Sequence, residues 1–289
     1  MLLIADGGAT QVKWACWAQP NHVQYWQTTG LNPYQQPDTL IEDILKKELL
    51  PQLPPNQVHQ IYFYGAGCHH LAHQKRLLGI FKTLFPMAQA QIASDILGAA
   101  RAVFGSDAGL IGILGTGANI SAYDGAQIVN EDLSLGYVLG DEGSGAYFGK
   151  LLVANFLNQG LPLALQQAFA KAYPLTRETV LREVYQSPFP NRYLAGFMPF
   201  LQTYQHDPYV DQLLRQGFGQ YFDKYVLRLP EASHWPLCLN GSVAWHFRDI
   251  LAQEAQKRKL PWKAVVKDPL EGLVAFHQKH TPIQEGLSC

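Results

Sequence analysis

The chain has 289 residues, 47% of them hydrophobic and 16% charged, with a formal net charge of -1. That length allows one large or two modest domains, and the apolar share builds a substantial core and excludes a disordered chain. No basic run or acidic tail asks for nucleic acid, the start MLLIADGGAT lacks the basic flank and length of a signal peptide, and no stretch approaches the ~18 apolar residues of a membrane span.

In chain order, Leu2 to Ala5 reads as a short buried strand ending at Asp6, followed by strand character at Val12 to Trp17 and at Val23 to Thr28. The spacing of Leu40, Ile41, Ile44, Leu45 and Leu49 predicts a helix from about Asp38 to Leu50, with Thr39 and Glu42 fitting a capping box and Pro51 as its stop. Ile61 to Tyr64 is a strand that runs into Gly65-Ala66-Gly67, and His70 to Leu84 is helical. Gln89 to Ala93 is a strand that delivers Asp95, and a helix covers Ile96 to Phe104.

The opening pattern then recurs. Leu110 to Leu114 is a buried strand followed by Gly115-Thr116-Gly117-Ala118-Asn119, and Asp124-Gly125 turns Ile120 to Tyr123 into Gln127 to Val129. From Ala146 to Leu229 the pattern is mostly helical. Leu237 to Leu239 is a last buried strand, a helix follows Asn240-Gly241-Ser242, and another begins near Leu270. These elements predict two α/β domains, each with a mixed sheet that begins with a hairpin: 1–107 and 108–289, with the last helix placed to pack back on the first domain.

Asp6-Gly7-Gly8-Ala9-Thr10 follows a buried strand directly. Paired glycines let the backbone approach an anion, bare N–H groups can face phosphate oxygens, and Thr10 can add a hydroxyl. A carboxylate there makes sense if Mg²⁺ lies between it and the phosphates; a tight hairpin with a capping Asp is the plain alternative. Gly115-Thr116-Gly117 repeats the context, and two such loops point to two domains facing each other across a nucleotide. Asp141 and Glu142 stand among glycines before a helix, beyond ordinary helix-start charge compensation. Asp95 reads either as an N-cap or as a general base at the carboxyl edge of a sheet. Cys68, His69, His70 and His73 tempt a zinc reading but lack a partner pair elsewhere, so a partly exposed helix start is preferred. The four cysteines form no CxxC pair, as in a reduced, cytoplasmic protein.

Together the segments DGGATQVKW, GLNPY, FYGAGC, ASDILGAARA, ILGTGANIS, LGYVLGDEGSGAYFG, SPFPNRYLAGF, LNGSVAWHF and PLEGLVAFH make the chain resemble the BadF/BadG/BcrA/BcrD-type ATPase family, and within it the N-acetylglucosamine kinases. The resemblance implies two ribonuclease H-like domains of the actin/Hsp70/hexokinase type with a nucleotide cleft between them. It implies ATP and Mg²⁺ as cofactors, an amino sugar as partner, and a homodimer. Asp6 matches the residue that positions Mg²⁺ through water, Asp95 the catalytic base, and Gly7, Gly8, Ala9 and Thr10 the first phosphate loop. Gly115, Thr116 and Gly117 match the second loop, Gly196 a backbone contact to the nucleotide, and Gly241 with Ser242 the adenosine motif. Asn32, Ala118, Asn119, Gly136 and Asp141, with Asp95, match sugar-contacting positions.

Two departures stand out. The family's first loop carries a lysine where this chain has Gln11, which removes a cation near the phosphates, and Ala118 and Ala9 replace hydroxyl donors. The expected reaction is phosphorylation of the 6-hydroxyl of N-acetylglucosamine or a related amino sugar. A sugar sensor or ATPase without sugar turnover is the alternative. An electron-transfer ATPase of the same family needs closely placed cysteines for an iron–sulfur cluster, and Cys68 and Cys238 stand alone.

Overall fold

The computed structural model describes residues 1–8, 10–19, 22–133 and 135–280. Leu3, Ile4 and Ala5 are fully buried because β1 (Leu2–Gly7) is the middle strand of a five-stranded sheet. β2 (Gln11–Gln19) and β3 (His22–Thr29) follow it as an antiparallel meander, and β4 (Gln60–Gly65) and β5 (Gln89–Ser94) add in parallel on its other side, giving the order β3-β2-β1-β4-β5. This sheet, with residues 1–107, 125–127 and 268–289, forms the first of two units.

The period-two alternation of β2 sends Val12, Trp14 and Cys16 to one face, where they pack with Phe63 and Phe81. Ala15 and Trp17 go to the other face, with Tyr64 and residues Leu270, Leu273 and Val274 of the C-terminal helix (Leu270–His280). Each fully buried Leu, Val or Phe of these layers is worth about 1.5–3 kcal/mol over its exposed state.

The first helical segment differs from its sequence pattern. α1 covers only Asp38–Ile44 and passes into a wider turn over Leu45–Leu49 and a tight one at Leu50–Gln52. No capping box forms: Pro37 is the N-cap, Glu42 pairs with Lys46, and Asp38 holds Arg76. Leu40 is exposed, whereas Ile41, Ile44, Leu45 and Leu49 are buried. α2 (Leu71–Leu84) packs Leu77, Ile80, Phe81 and Leu84 inward. α3 (Asp95–Phe104) is capped by Ser94, whose hydroxyl accepts from Leu97 N–H; Asp95 is thus the first helical residue and not the N-cap.

The C-terminal helix is fastened through a buried triad. Arg101 donates to Tyr64 Oη at 2.8 Å, and Tyr64 Oη lies 2.9 Å from His277 Nε2. With Arg101 donating to it, Tyr64 Oη can donate its own O–H to a neutral imidazole at Nε2. Burial, then the positive charges of Arg101 and His280, hold His277 down to about 4. The unfolded chain therefore takes up a proton between about pH 6.5 and 4 that the folded chain refuses, and stability falls as pH drops through that window. We expect wild type to lose up to about 3 kcal/mol more than His277→Gln between pH 7 and 4. Parallel denaturation curves for the two proteins at each pH would exclude this.

The second unit, residues 108–124 and 128–267, repeats the plan. β6 (Gly109–Leu114), β7 (Ala118–Tyr123) and β8 (Ile128–Leu133) form the meander. β9 (Leu237–Asn240) and β10 (Trp262–Val266) add in parallel, for the order β8-β7-β6-β9-β10. β10 has no counterpart among the strands expected from sequence. In both units the strand order is that of a ribonuclease H-like sheet.

The helices of this unit are α4 (Gly136–Leu139), α5 (Gly145–Leu157), α6 (Leu163–Ala172), α7 (Arg177–Tyr185), α8 (Pro190–Ala195), α9 (Met198–Thr203), α10 (Pro208–Lys224), α11 (Ser242–His246) and α12 (Arg248–Lys257). α5 begins at a Ser144 cap and crosses α8 closely: a Cβ on Gly149 would lie 1.9 Å from Leu194 O, and one on Gly145 3.0 Å from the Ala195 Cβ. Among the described residues, no helix is long and apolar enough to cross a membrane.

Candidate active site

Because β1, β3, β4 and β5 run in the same direction, the first sheet gathers the segments that follow them at one edge. Such carboxyl edges are where α/β sheets collect ligands. Asp6, Asn32, the turn Gly65–Gly67 and Asp95 all lie there. Asp6 is cross-strand partner to Lys13 on β2 and to Tyr64 on β4. Its carboxyl is pushed up to about 7, chiefly by burial and then by the charges of Asp268 and Asp95, against the pull of Lys13. Burial also raises the Asp95 carboxyl, opposed by His69 and by the Ile96 N–H donating to its Oδ1 at 3.0 Å. A carboxylate lifted this way is a better proton acceptor near neutral pH than an exposed one.

Asn32 is buried, and its position is fixed from several sides. Its Oδ1 accepts Tyr34 N–H at 3.0 Å, and its N–H donates to Gln36 Oε1 at 2.7 Å. A Cβ on Gly67, which has φ +78°, would lie 2.3 Å from Asn32 Oδ1, so only glycine lets the FYGAGC turn close over it. The Asn32 Nδ2 donates to no described residue, leaving two N–H bonds for a polar ligand.

The first glycine loop is less bare than its sequence implies. Gly8 N–H donates to Gln11 O at 2.9 Å, closing the hairpin, so it is not available to a phosphate. Thr10 N–H donates to no described residue. Ala9 lies outside the described residues. The second loop closes in the same way, with Gly115 N–H on Gly117 O at 3.0 Å, while the N–H groups of Thr116 and Gly117 donate to no described residue. The Gly115 and Thr116 carbonyls accept the first amides of α5, Gly145 at 2.8 Å and Ala146 at 3.1 Å, which ties the loop to that helix.

Asp141 stands beside this loop with an unusual positive φ of 59°, and its Oδ1 accepts Ala118 N–H at 3.3 Å. Backbone strain of this kind at a buried carboxylate is characteristic of functional sites. Neighbouring Glu142 is held low: burial pushes it up, but hydrogen bonds from Lys224 and Tyr225 outweigh that. Asn119 turns its Oδ1 back onto Ile113 N–H at 3.2 Å. Gly136 opens α4 at φ +78°. Gly196 follows α8 and is exposed, and its N–H is engaged by the Arg192 and Tyr193 carbonyls. Gly241 follows β9 at φ +109°, and exposed Ser242 begins α11.

Sequence reasoning overlooked Asp268. It lies between β10 and the C-terminal helix, where Asp-Pro-Leu-Glu reads only as a helix start. Its Oδ1 accepts Leu270 N–H at 3.0 Å, and its Oδ2 takes Lys13 Nζ at 2.6 Å. The Cys68–His73 cluster has local partners: His73 Nδ1 bonds Gly67 O at 3.0 Å, Cys68 O accepts from Gln74 Nε2 at 2.8 Å, and His70 occupies the N-cap position of α2 without a side-chain cap bond.

Asp6 thus carries the influence of Asp268 and Asp95, with Lys13 as the opposing cation, and a divalent cation beside it would favour its charged form. Within the first unit, this acidic edge and the open Thr10 amide have the donor chemistry that Mg²⁺ and a phosphate would need.

No family model and no curated protein matches the chain. Among solved structures, a proposed N-acetylglucosamine kinase from Porphyromonas gingivalis superposes with a TM-score of 0.91 at 38% identity, covering 96% of this chain and 99% of that one. A second proposed N-acetylglucosamine kinase, from Chromobacterium violaceum, has a TM-score of 0.70 at 22% identity over 96% and 98% of the two chains. A ROK family glucokinase from Streptomyces griseus, in complex with glucose and AMPPNP, shares the fold with a TM-score of 0.56 at 14% identity over 95% and 97%. Two ribonuclease H-like sheets with glycine-rich carboxyl edges define a protein of the actin/Hsp70/hexokinase superfamily with a sugar-kinase-like fold. Within it, the chain belongs to the BadF/BadG/BcrA/BcrD-type family, on its N-acetylglucosamine kinase-like branch.

Proposed function

We propose that this protein transfers the γ-phosphoryl of ATP to the 6-hydroxyl of N-acetylglucosamine or a closely related amino sugar. The observation that carries the reading is the placement of Asp95 and of Asn32, with its open amide, on the same sheet edge as Asp6. That edge offers a base and a polar sugar contact beside a phosphate loop. The relative from Porphyromonas gingivalis, through its name, supports the amino sugar.

Phosphoryl transfer makes small covalent demands on the protein, so positioning and charge neutralisation do most of the catalysis. Asp95 would accept the proton of the sugar hydroxyl and aim its oxygen. Thr10, Thr116 and Gly117 would give their amides to phosphate oxygens. Asp6 would hold Mg²⁺, by way of water, and the ion would supply charge neutralisation at the phosphates. Asn32, Asn119 and Asp141 would pair with sugar hydroxyls, so that a sugar lacking one leaves a polar group unpaired. Gly241 would leave room for the adenosine.

The test is a phosphorylation panel of N-acetylglucosamine, N-acetylmannosamine, glucosamine and glucose with MgATP, the product's phosphate located by NMR. The expected result is N-acetylglucosamine 6-phosphate. A 1-phosphate would contradict the role given to Asp95, and sugar-dependent binding without ADP release would favour a sensor.

A further inference from the structure

We propose that Lys13 serves as the phosphate-binding cation of the first loop, parked on Asp268 until nucleotide arrives; this rests on the nucleotide-binding reading above. Lys13 is the direct cross-strand partner of Asp6, so both side chains emerge on the same face of the sheet. Strand alternation puts Gln11 on that face too, about 6.6–6.8 Å nearer the loop. That spacing is comparable with the length of a lysine side chain, so a cation rooted at residue 13 can cover the ground that residue 11 borders. Among the described residues, Lys13 is the cation whose charge reaches Asp6.

Its present partner is suited to letting go. Asp268 is fixed by Leu270 N–H through one oxygen and holds Lys13 through the other. The two side chains are 28% and 39% exposed, a setting in which an ion pair contributes little net stability. A polyphosphate carries several negative charges and competes well for the ammonium. Lys13 and Asp268 also border an open cavity of about 410 Å³, together with Tyr25 and Glu271, so the pair is not sealed into the core.

A simple surface tie between β2 and the C-terminal helix would behave differently. Breaking it from either end would have the same consequence. As a parked cation, the two ends have opposite consequences. Calorimetric titration of the full chain with MgATP and with adenosine separates the cases. Lys13→Gln is expected to weaken MgATP binding about 10- to 100-fold and leave adenosine unchanged, whereas Asp268→Asn tightens MgATP a few-fold. Adding Gln11→Lys to Lys13→Gln is expected to restore most of the lost affinity. Wild-type MgATP affinity in Lys13→Gln, or weakening by both single variants, overturns the proposal. A wild-type protein that binds MgATP and responds as described, yet phosphorylates no amino sugar, would instead remove the kinase reading and keep this one.

Discussion

Asp95→Asn is expected to lower sugar phosphorylation by about 10²- to 10⁴-fold, the usual range for loss of a general base. The substitution is nearly isosteric, and its amide oxygen can still accept Ile96 N–H as Asp95 Oδ1 does. α3 keeps its start because Ser94, not Asp95, is the cap. Removing a carboxyl that burial disfavours in its charged form does not weaken the fold, so the thermal midpoint should hold or rise. MgATP affinity should change little. The decisive comparison is kcat against KM: a base acts in the transition state, so the loss belongs in kcat. Near-normal kcat in a purified, folded Asp95→Asn protein would transfer the role to another group.

Gly241→Ala carries the second large effect. At φ +109° and ψ 165° the backbone is in a region reserved in practice for glycine, and a Cβ would stand 2.4 Å from Leu114 O. The carbonyl it strikes belongs to the last residue of β6, directly before the second glycine loop, and cannot retreat without moving Gly115. Strain and overlap each cost about 1–3 kcal/mol, so a loss of about 3 kcal/mol or more is expected in denaturant unfolding. On the function proposed above, nucleotide affinity should fall with it, because the turn proposed to receive adenosine and the second glycine loop are displaced together. Ser242→Ala, one residue on and exposed, should be close to wild type in stability. Equal, small effects at both positions would mean that the β9–α11 turn tolerates a side chain.

The twice-repeated strand, glycine turn and strand is legible in the sequence because apolar runs at Leu2 to Ala5 and Leu110 to Leu114 can only be buried strands. β10 escapes notice because Trp262 to Val266 is interrupted by Lys263 and lies between two prolines, where a loop is the easier reading. The helix after Asp38 is legible as a face but not in its winding. Tertiary packing buries Leu45 and Leu49, and it leaves Leu40 outside.

For the candidate sites, glycines and strand-end aspartates are what single out Asp6, Asp95 and the two loops in the sequence. The pattern cannot tell which amides remain open: Gly8 and Gly115 close their own turns, and Thr10, Thr116 and Gly117 do not. Asp268 is far from Asp6 in the sequence and joins it only through the fold, so no local signal exists for it.

The first unit is discontinuous in the chain, and this governs the order in which it can be made. Its apolar face at Leu2, Ile4, Ala15, Trp17 and Tyr64 is covered by Leu270, Leu273 and Val274. On a ribosome adding roughly 5–20 residues per second, the stretch from residue 107 to 268 delays that cover by on the order of 10 s or more. The amino-terminal sheet must therefore wait, half-clad, while the whole of the second unit is synthesised. An expressed fragment of residues 1–107 would be caught permanently in that condition. A permuted chain in which residues 268–280 precede residue 1 would instead bring the cover out first.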